Sequence, residues 1–227
     1  MAAIIALAGA AHAQASAPVE ALQVVSQAGS ELPLEGLLRR VQERYGAMQD
    51  LRARFRQLST PRPGMPAREA SGTWFARPPG RIRVEYDVSG RVLVADGETL
   101  YWYLPEDRQV QIRTQDSLAA GQTPMLYLTG GGDLGNDFMV AGTEWAEMLA
   151  PGNVQLRLEP LTADASYTHL ILEVDPATAM IARLVSFGIL GESSEFLFLE
   201  VETDLGLSDD LFQFTIPANA EVEQLGS

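Results

Sequence analysis

Residues 81–104 read RIRVEYDVSGRVLVADGETLYWYL, and the fold can be read outward from them. Ile82, Val84, Tyr86 and Val88 occupy alternate positions, with Arg81, Arg83, Glu85 and Asp87 between them. Successive side chains of a strand point to opposite faces, so this alternation predicts a strand with one apolar and one charged face. Val92 to Ala95 and Thr99 to Leu104 flank Asp96-Gly97. A type I′ turn needs positive φ at its central residues, and Asp-Gly before an alternating segment predicts a hairpin there.

The same pattern continues on both sides. Upstream, Arg54 to Leu58 and Ser71 to Ala76 alternate, separated by a run containing Pro61, Pro63, Gly64 and Pro66. Downstream, Pro105 to Arg108 predicts a turn into Gln109 to Arg113, and further strands are expected at Asp137 to Val140, Val154 to Leu158, Tyr167 to Val174, Ile181 to Phe187 and Glu195 to Thr203. Two segments break the period of two. Leu34, Leu37, Leu38, Val41, Tyr45 and Met48 recur at spacings of three and four, which predicts an amphipathic helix. A central insert holds a short helical candidate at Asp116 to Ala120. A second candidate has Thr123 as N-cap, Pro124 at the first helical position and Gly130 as the stop. Asp209 to Leu211 predicts one helical turn. The sum is a mainly β chain of about ten strands with short helices, an antiparallel sheet curled around an interior.

Residues 1–13 form an apolar run ending in Ala11-His12-Ala13, the small-x-small pattern of a signal-peptide cleavage site, and are read as a signal peptide remnant. Residues 14–33 are small and polar and are read as a flexible lead-in, and residues 34–227 as a single domain. No stretch reaches the length of apolar residues that spans a bilayer.

Composition excludes several chemistries. The 227 residues contain no cysteine and no lysine, so disulfides, thiol nucleophiles and cysteine-ligated metals are absent and every basic residue is arginine. Beyond His12 in the leading segment, His169 is the one histidine, in a strand pattern, which argues against a multi-histidine metal site or a catalytic base. Paired carboxylates at Glu106-Asp107 and Asp209-Asp210 fall in turns, where they are solvated. No catalytic residue and no cofactor is expected. Residues 1–113 hold 14 Arg against 12 acidic residues, and residues 114–227 hold 2 Arg against 18. A net charge of −14 disfavours nucleic acid as a partner, and the acidic half is a candidate docking surface. Met125, Met139, Met148 and Met180 offer adaptable side chains suited to varied alkyl ligands.

Gly72-Thr73-Trp74-Phe75-Ala76-Arg77-Pro78, followed by Arg81 to Tyr86, resembles the outer-membrane lipoprotein carrier family, LolA. Leu51 to Gln57, Val92 to Tyr103, Thr123 to Leu126 and Leu211 to Pro217 resemble further family segments in the same order. Pro79-Gly80, the aliphatic Ile82 and Val84 where aromatics are usual, and Ala218-Asn219-Ala220 at the end depart from its pattern. The resemblance implies an unclosed antiparallel β-barrel lidded by helices around an apolar cavity. It implies a monomeric periplasmic carrier, not an enzyme. Such a carrier receives acylated lipoproteins from an inner-membrane ABC exporter and passes them to an outer-membrane lipoprotein acceptor where one exists. A same-fold module carrying another lipid, or acting as the acceptor itself, is the alternative. The resemblance places Arg77 as the latch of the lid, and Leu93, Ile82, Val84, Trp74 and Met125 on the acyl-chain cavity.

Overall fold

The structure is a computed structural model that describes residues 34–114, 127, 129, 132–162 and 167–225. Helix α1 (Leu34–Ala47) is followed by strands β1 (Leu51–Thr60), β2 (Arg68–Arg77), β3 (Arg81–Tyr86), β4 (Val92–Asp96), β5 (Thr99–Leu104) and β6 (Gln109–Thr114). The one-turn helix α2 (Leu134–Asp137) leads into β7 (Phe138–Gly142), β8 (Val154–Pro160), β9 (Tyr167–Asp175), β10 (Met180–Gly188) and β11 (Ser193–Thr203). A 3-10 turn, Asp209–Phe212, precedes β12 (Glu221–Gln224). The helical candidates at Asp116 to Ala120 and after Thr123, Met125 among them, lie outside the described residues except for Tyr127 and Thr129.

All twelve strands join one sheet in the order β12-β6-β5-β4-β3-β2-β1-β11-β10-β9-β8-β7. Two meanders, β1 to β6 and β7 to β11, meet where β1 pairs antiparallel with β11. Neighbours are antiparallel except β12, which adds in parallel to β6. The sheet stays unclosed, with β12 and β7 as its edges. The Asp96-Gly97 hairpin is present, but its geometry differs from the expected type I′. Gly97 takes φ of 109° and Glu98 is not in the positive region, so Gly97-Glu98 is the two-residue loop. Glycine first and an ordinary residue second is the type II′ pattern. Asp96 steadies it by accepting from the Glu98 and Thr99 amides at 2.9 and 2.8 Å.

The inner face of the sheet and the apolar stripe of α1 bury one another. Leu37, Leu38, Val41 and Tyr45 of the helix share a cluster with Phe55, Trp74, Ile82, Val84, Leu172 and Phe198. Each such side chain contributes about 1.5–3 kcal/mol when fully removed from water. The Tyr45 hydroxyl accepts from the Ile181 amide at 3.1 Å, and burial pushes its pKa up to about 12. Gln42 clamps the α2 entry, donating to the Gly132 carbonyl at 3.1 Å and accepting from the Leu134 amide at 3.0 Å.

The outer face has its own cover. Buried Asp50, between α1 and β1, accepts from the Leu205 and Leu207 amides at 2.7 Å each and so directs the chain after β11. That chain crosses the outside of β3 to β6, where Phe212 is buried and the Phe214 ring lies 5.5 Å from Tyr101 and 6.1 Å from Tyr103. Loop 143–153 covers part of the other half. Buried Glu173 accepts from the Leu149 amide at 2.6 Å and Asn153 at 2.8 Å, and Arg183 donates to the Glu147 carbonyl at 3.1 Å.

Candidate functional site

Cross-strand register shows how the interior changes along the barrel. Ala53, Trp74, Val84, Leu93 and Trp102 stand opposite one another on β1 to β5, an apolar row that is buried at Ala53, Trp74 and Val84 and reaches the cavity described below at Trp102. Two residues toward the β1–β2 loop, Phe198, Phe55, Gly72 and Tyr86 form the next row. The following row is mixed, Leu184, Phe196, Gln57 and Ala70. The last is polar throughout: Ser186, Ser194, Ser59 and Arg68 on β10, β11, β1 and β2. Residues two apart on a strand share a face, so all four rows look inward.

A cavity of about 700 Å³ opens at this polar end, lined by Gln57, Ser59, Arg68, Tyr86, Arg91, Trp102, Tyr167, Ser186, Ser193 and Ser194 among others. Its apolar walls are aromatic. Tyr86 meets Phe55 edge-on, with centroids 5.4 Å apart and planes at 83°, and Trp102 lies 6.5 Å from Tyr86. The Arg91 guanidinium sits 4.6 Å above the Tyr86 ring, a cation–π contact at the rim. Burial raises the Tyr86 and Tyr167 pKa values, so both hydroxyls stay protonated at neutral pH. The Gln57 amide donates to Ser194 Oγ at 2.8 Å, joining the mixed row to the polar one.

The residues expected around an acyl-chain cavity fall deeper than this opening. Trp74, Ile82 and Val84 are 1%, 1% and 3% exposed and belong to the packed interior, with Leu93 half-buried against it. None of the four lines the 700 Å³ cavity, which lies above them. The methionines divide: Met139 and Met148 are 55% and 49% exposed and are not among the residues lining the 700 Å³ cavity, while Met180 packs against the core. The period-two pattern gave Met139 no facing partner to decide its side, and Met148 lies in loop 143–153, which no strand pattern orients.

Arg77 lies on the outer face. Its guanidinium pairs with Asp209, which also accepts from Arg81 at 2.8 Å, and sits 5.4 Å from the Phe212 ring centroid. The turn after it reaches the central insert, where the Gly80 amide donates to the Thr129 carbonyl at 3.0 Å. Of the insert, where the lid is expected, only Tyr127 and Thr129 are among the described residues.

His169 stacks on Phe187 at 4.4 Å and 11°, with Thr168 Oγ1 3.0 Å from Nδ1. Desolvation, then the nearby Arg157 charge, lowers its pKa, so the ring is neutral at pH 7 and packed as an aromatic. It faces outward, on the side of the sheet away from the cavity. Among the described residues no group of three or more His, Asp or Glu side chains is placed to hold a metal ion, and no helix is long and apolar enough to cross a membrane.

The described residues form an open, mostly antiparallel sheet with an apolar inner face, a covering helix and a cavity at one end. Residues 47–215 match the family described as outer membrane lipoprotein carrier protein LolA, and the chain belongs to that family, one of carriers and not of enzymes. It is 29% identical over 192 residues to an outer-membrane lipoprotein carrier protein of Azotobacter vinelandii, covering 84% of this chain and 89% of that one. A carrier of the same description from Nitrosomonas europaea is 30% identical over 162 residues, 68% of this chain and 73% of its own. Among solved structures, an uncharacterized conserved protein from Thermus thermophilus shares the fold, with a TM-score of 0.51 and 16% identity over 85% of this chain and 99% of that one.

Proposed function

We propose that this protein carries acylated lipoproteins through the periplasm, taking them from an inner-membrane ABC exporter and giving them to the outer membrane, through a lipoprotein acceptor where one is present. The observation that carries this reading is the continuity of the inner face. The aromatic walls of the mouth, Tyr86 and Trp102, adjoin Phe55, Val84 and Leu93, so this wall of the mouth passes directly into the apolar inner face. Each CH₂ kept from water there is worth about 0.8 kcal/mol, so an apolar interior can hold an acyl chain that would otherwise be exposed while the cargo crosses an aqueous compartment.

The interior around Trp74, Ile82 and Val84 is filled in this state, so loading requires α1 or the insert to withdraw. A competent state that is only a fraction of the population lowers apparent affinity by that fraction, which leaves the cargo loosely enough held to be released. Purification from the native periplasm under detergent-free conditions, followed by mass spectrometry, tests the proposal. Acylated proteins are expected to co-purify with the carrier, and recovery of free phospholipid alone would replace the lipoprotein cargo with another lipid.

Arg77 enters the proposal as the residue that favours the closed state. Its guanidinium pairs with the exposed Asp209, a contact that contributes up to about 1 kcal/mol, and so steadies the turn whose Gly80 amide donates to the Thr129 carbonyl of the insert. Arg77→Leu is therefore expected to load from exporter-containing vesicles as well as the parent or better, and to deliver poorly to acceptor membranes. Weak loading with normal delivery of whatever is loaded would instead make Arg77 a cargo contact.

A further inference from the structure

The inner face turns polar within four residues of its last apolar row, and acyl chains alone give no reason for that. Ser186, Ser194 and Ser59 stand opposite one another on three adjacent strands, and Arg68 continues the row on a fourth. All four line the cavity. Among the described residues Arg68 has no ion-pair partner, whereas its neighbours Arg56 and Glu69 pair with each other at 2.7 Å. Three hydroxyls and a guanidinium form a donor-rich rim. The ligand that matches it is rich in acceptors and poor in donors, and carries apolar chains pointing inward.

We propose that the mouth is a distinct subsite for the ester carbonyls of a diacylglyceryl group, with Ser59, Ser186 and Ser194 donating to the carbonyl oxygens and Arg68 closing the outer side. This rests on the reading that the interior receives acyl chains. It adds that the polar end of the ligand is recognised, not merely left in water, and that the depth of insertion is set where the serine row meets the Phe196 and Leu184 row. The same diacylglyceryl chemistry occurs in a lipoprotein anchor and in a phospholipid, so the probes separate them.

The test uses the full chain and three synthetic ligands: a diacylglyceryl lipopeptide, its diether analogue with the same chains and no ester carbonyls, and phosphatidylglycerol. Affinities are read by displacement of an apolar fluorescent probe. The parent is expected to bind the ester lipopeptide at least tenfold more tightly than the ether. In Ser59→Ala/Ser186→Ala/Ser194→Ala that preference disappears, ether binding is unchanged, and so is the unfolding midpoint. Arg68→Met, at an exposed position that leaves the serines in place, lowers ester binding several-fold on its own. A loss of phosphatidylglycerol binding as large as that of the ester lipopeptide would support the subsite and show that it accepts the diacylglyceryl group from either source. Equal ester and ether affinities in the parent, or a triple variant that retains the preference, overturns the subsite and leaves the carrier reading intact. Failure of the parent to bind any of the three ligands overturns the carrier reading itself.

Discussion

Gly72→Ala is expected to lower the thermal midpoint by roughly 6–12 °C, from about 3 kcal/mol of lost stability in a domain of this size. A Cβ at this position would lie 2.1 Å from the Glu85 carbonyl oxygen and 2.6 Å from Phe55 Cζ. The first contact is with backbone of the neighbouring strand, which moves only if β2 and β3 separate. The second is with a ring fixed by Tyr86 and Phe196. Small-to-large changes in a filled core usually cost about 1–3 kcal/mol, and a backbone clash belongs at the upper end of that range. Phe55→Leu in the same chain relieves the ring contact and leaves the carbonyl contact, so the double variant should recover only part of the loss. A midpoint within about 2 °C of the parent, measured by circular dichroism, would show that β2 and β3 have room at this point.

Gly72 also shows what the sequence makes legible. Its place in an alternating segment predicts a strand, and a glycine inside a strand marks close approach of another group. Which group approaches depends on Phe55, far earlier in the chain, and on the register that sets Gly72 opposite Tyr86. The strands themselves follow from local alternation, and α1 from its three-and-four spacing, because both periodicities are written within one element. β12 left no such mark: Glu221-Val222-Glu223-Gln224 is short and largely exposed, and its parallel pairing with β6 depends on a chain path set by Asp50. Asp209 read correctly as a turn residue, but its pairing with Arg77 spans 132 positions and is fixed only when the C-terminal segment crosses the outer face.

The polar row was hidden for the same reason. Ser59, Ser186 and Ser194 are ordinary strand-end residues when read singly. They become a site because β1, β10 and β11 are neighbours in one register. The candidates drawn from the family resemblance, Trp74, Ile82, Val84 and Leu93, are all on inward positions of their strands, yet the open cavity begins above them. Side-chain direction was legible there; how tightly the closed state fills its own interior was not, since that depends on α1 lying against the sheet.

Leu93→Glu is expected to reduce lipopeptide loading more than tenfold while the protein stays folded, and the contrast with Val84→Glu explains why. Leu93 is opposite Val84 on one side and Trp102 on the other, and Trp102 lines the cavity. Leu93 is half-buried, so in the empty protein a glutamate there can turn its carboxylate toward the water of the mouth. Val84 is 3% exposed and has no such route, so Val84→Glu places a charge in the core and should unfold the chain. Once acyl chains occupy the interior, the route to water is closed for the introduced carboxylate as well, and an unpaired buried charge is costly or must take up a proton. A penalty of about 1.4 kcal/mol suffices for each tenfold loss of affinity, well within the cost of desolvating a carboxylate. Loading should then recover as pH falls, because a protonated carboxyl is far cheaper to bury, whereas a loss caused by altered shape would not respond to pH. Loading measured between about pH 5 and 8, alongside the unfolding midpoint, separates the two. Normal loading across that range by a stable Leu93→Glu protein would place the path of the acyl chains elsewhere on the inner face.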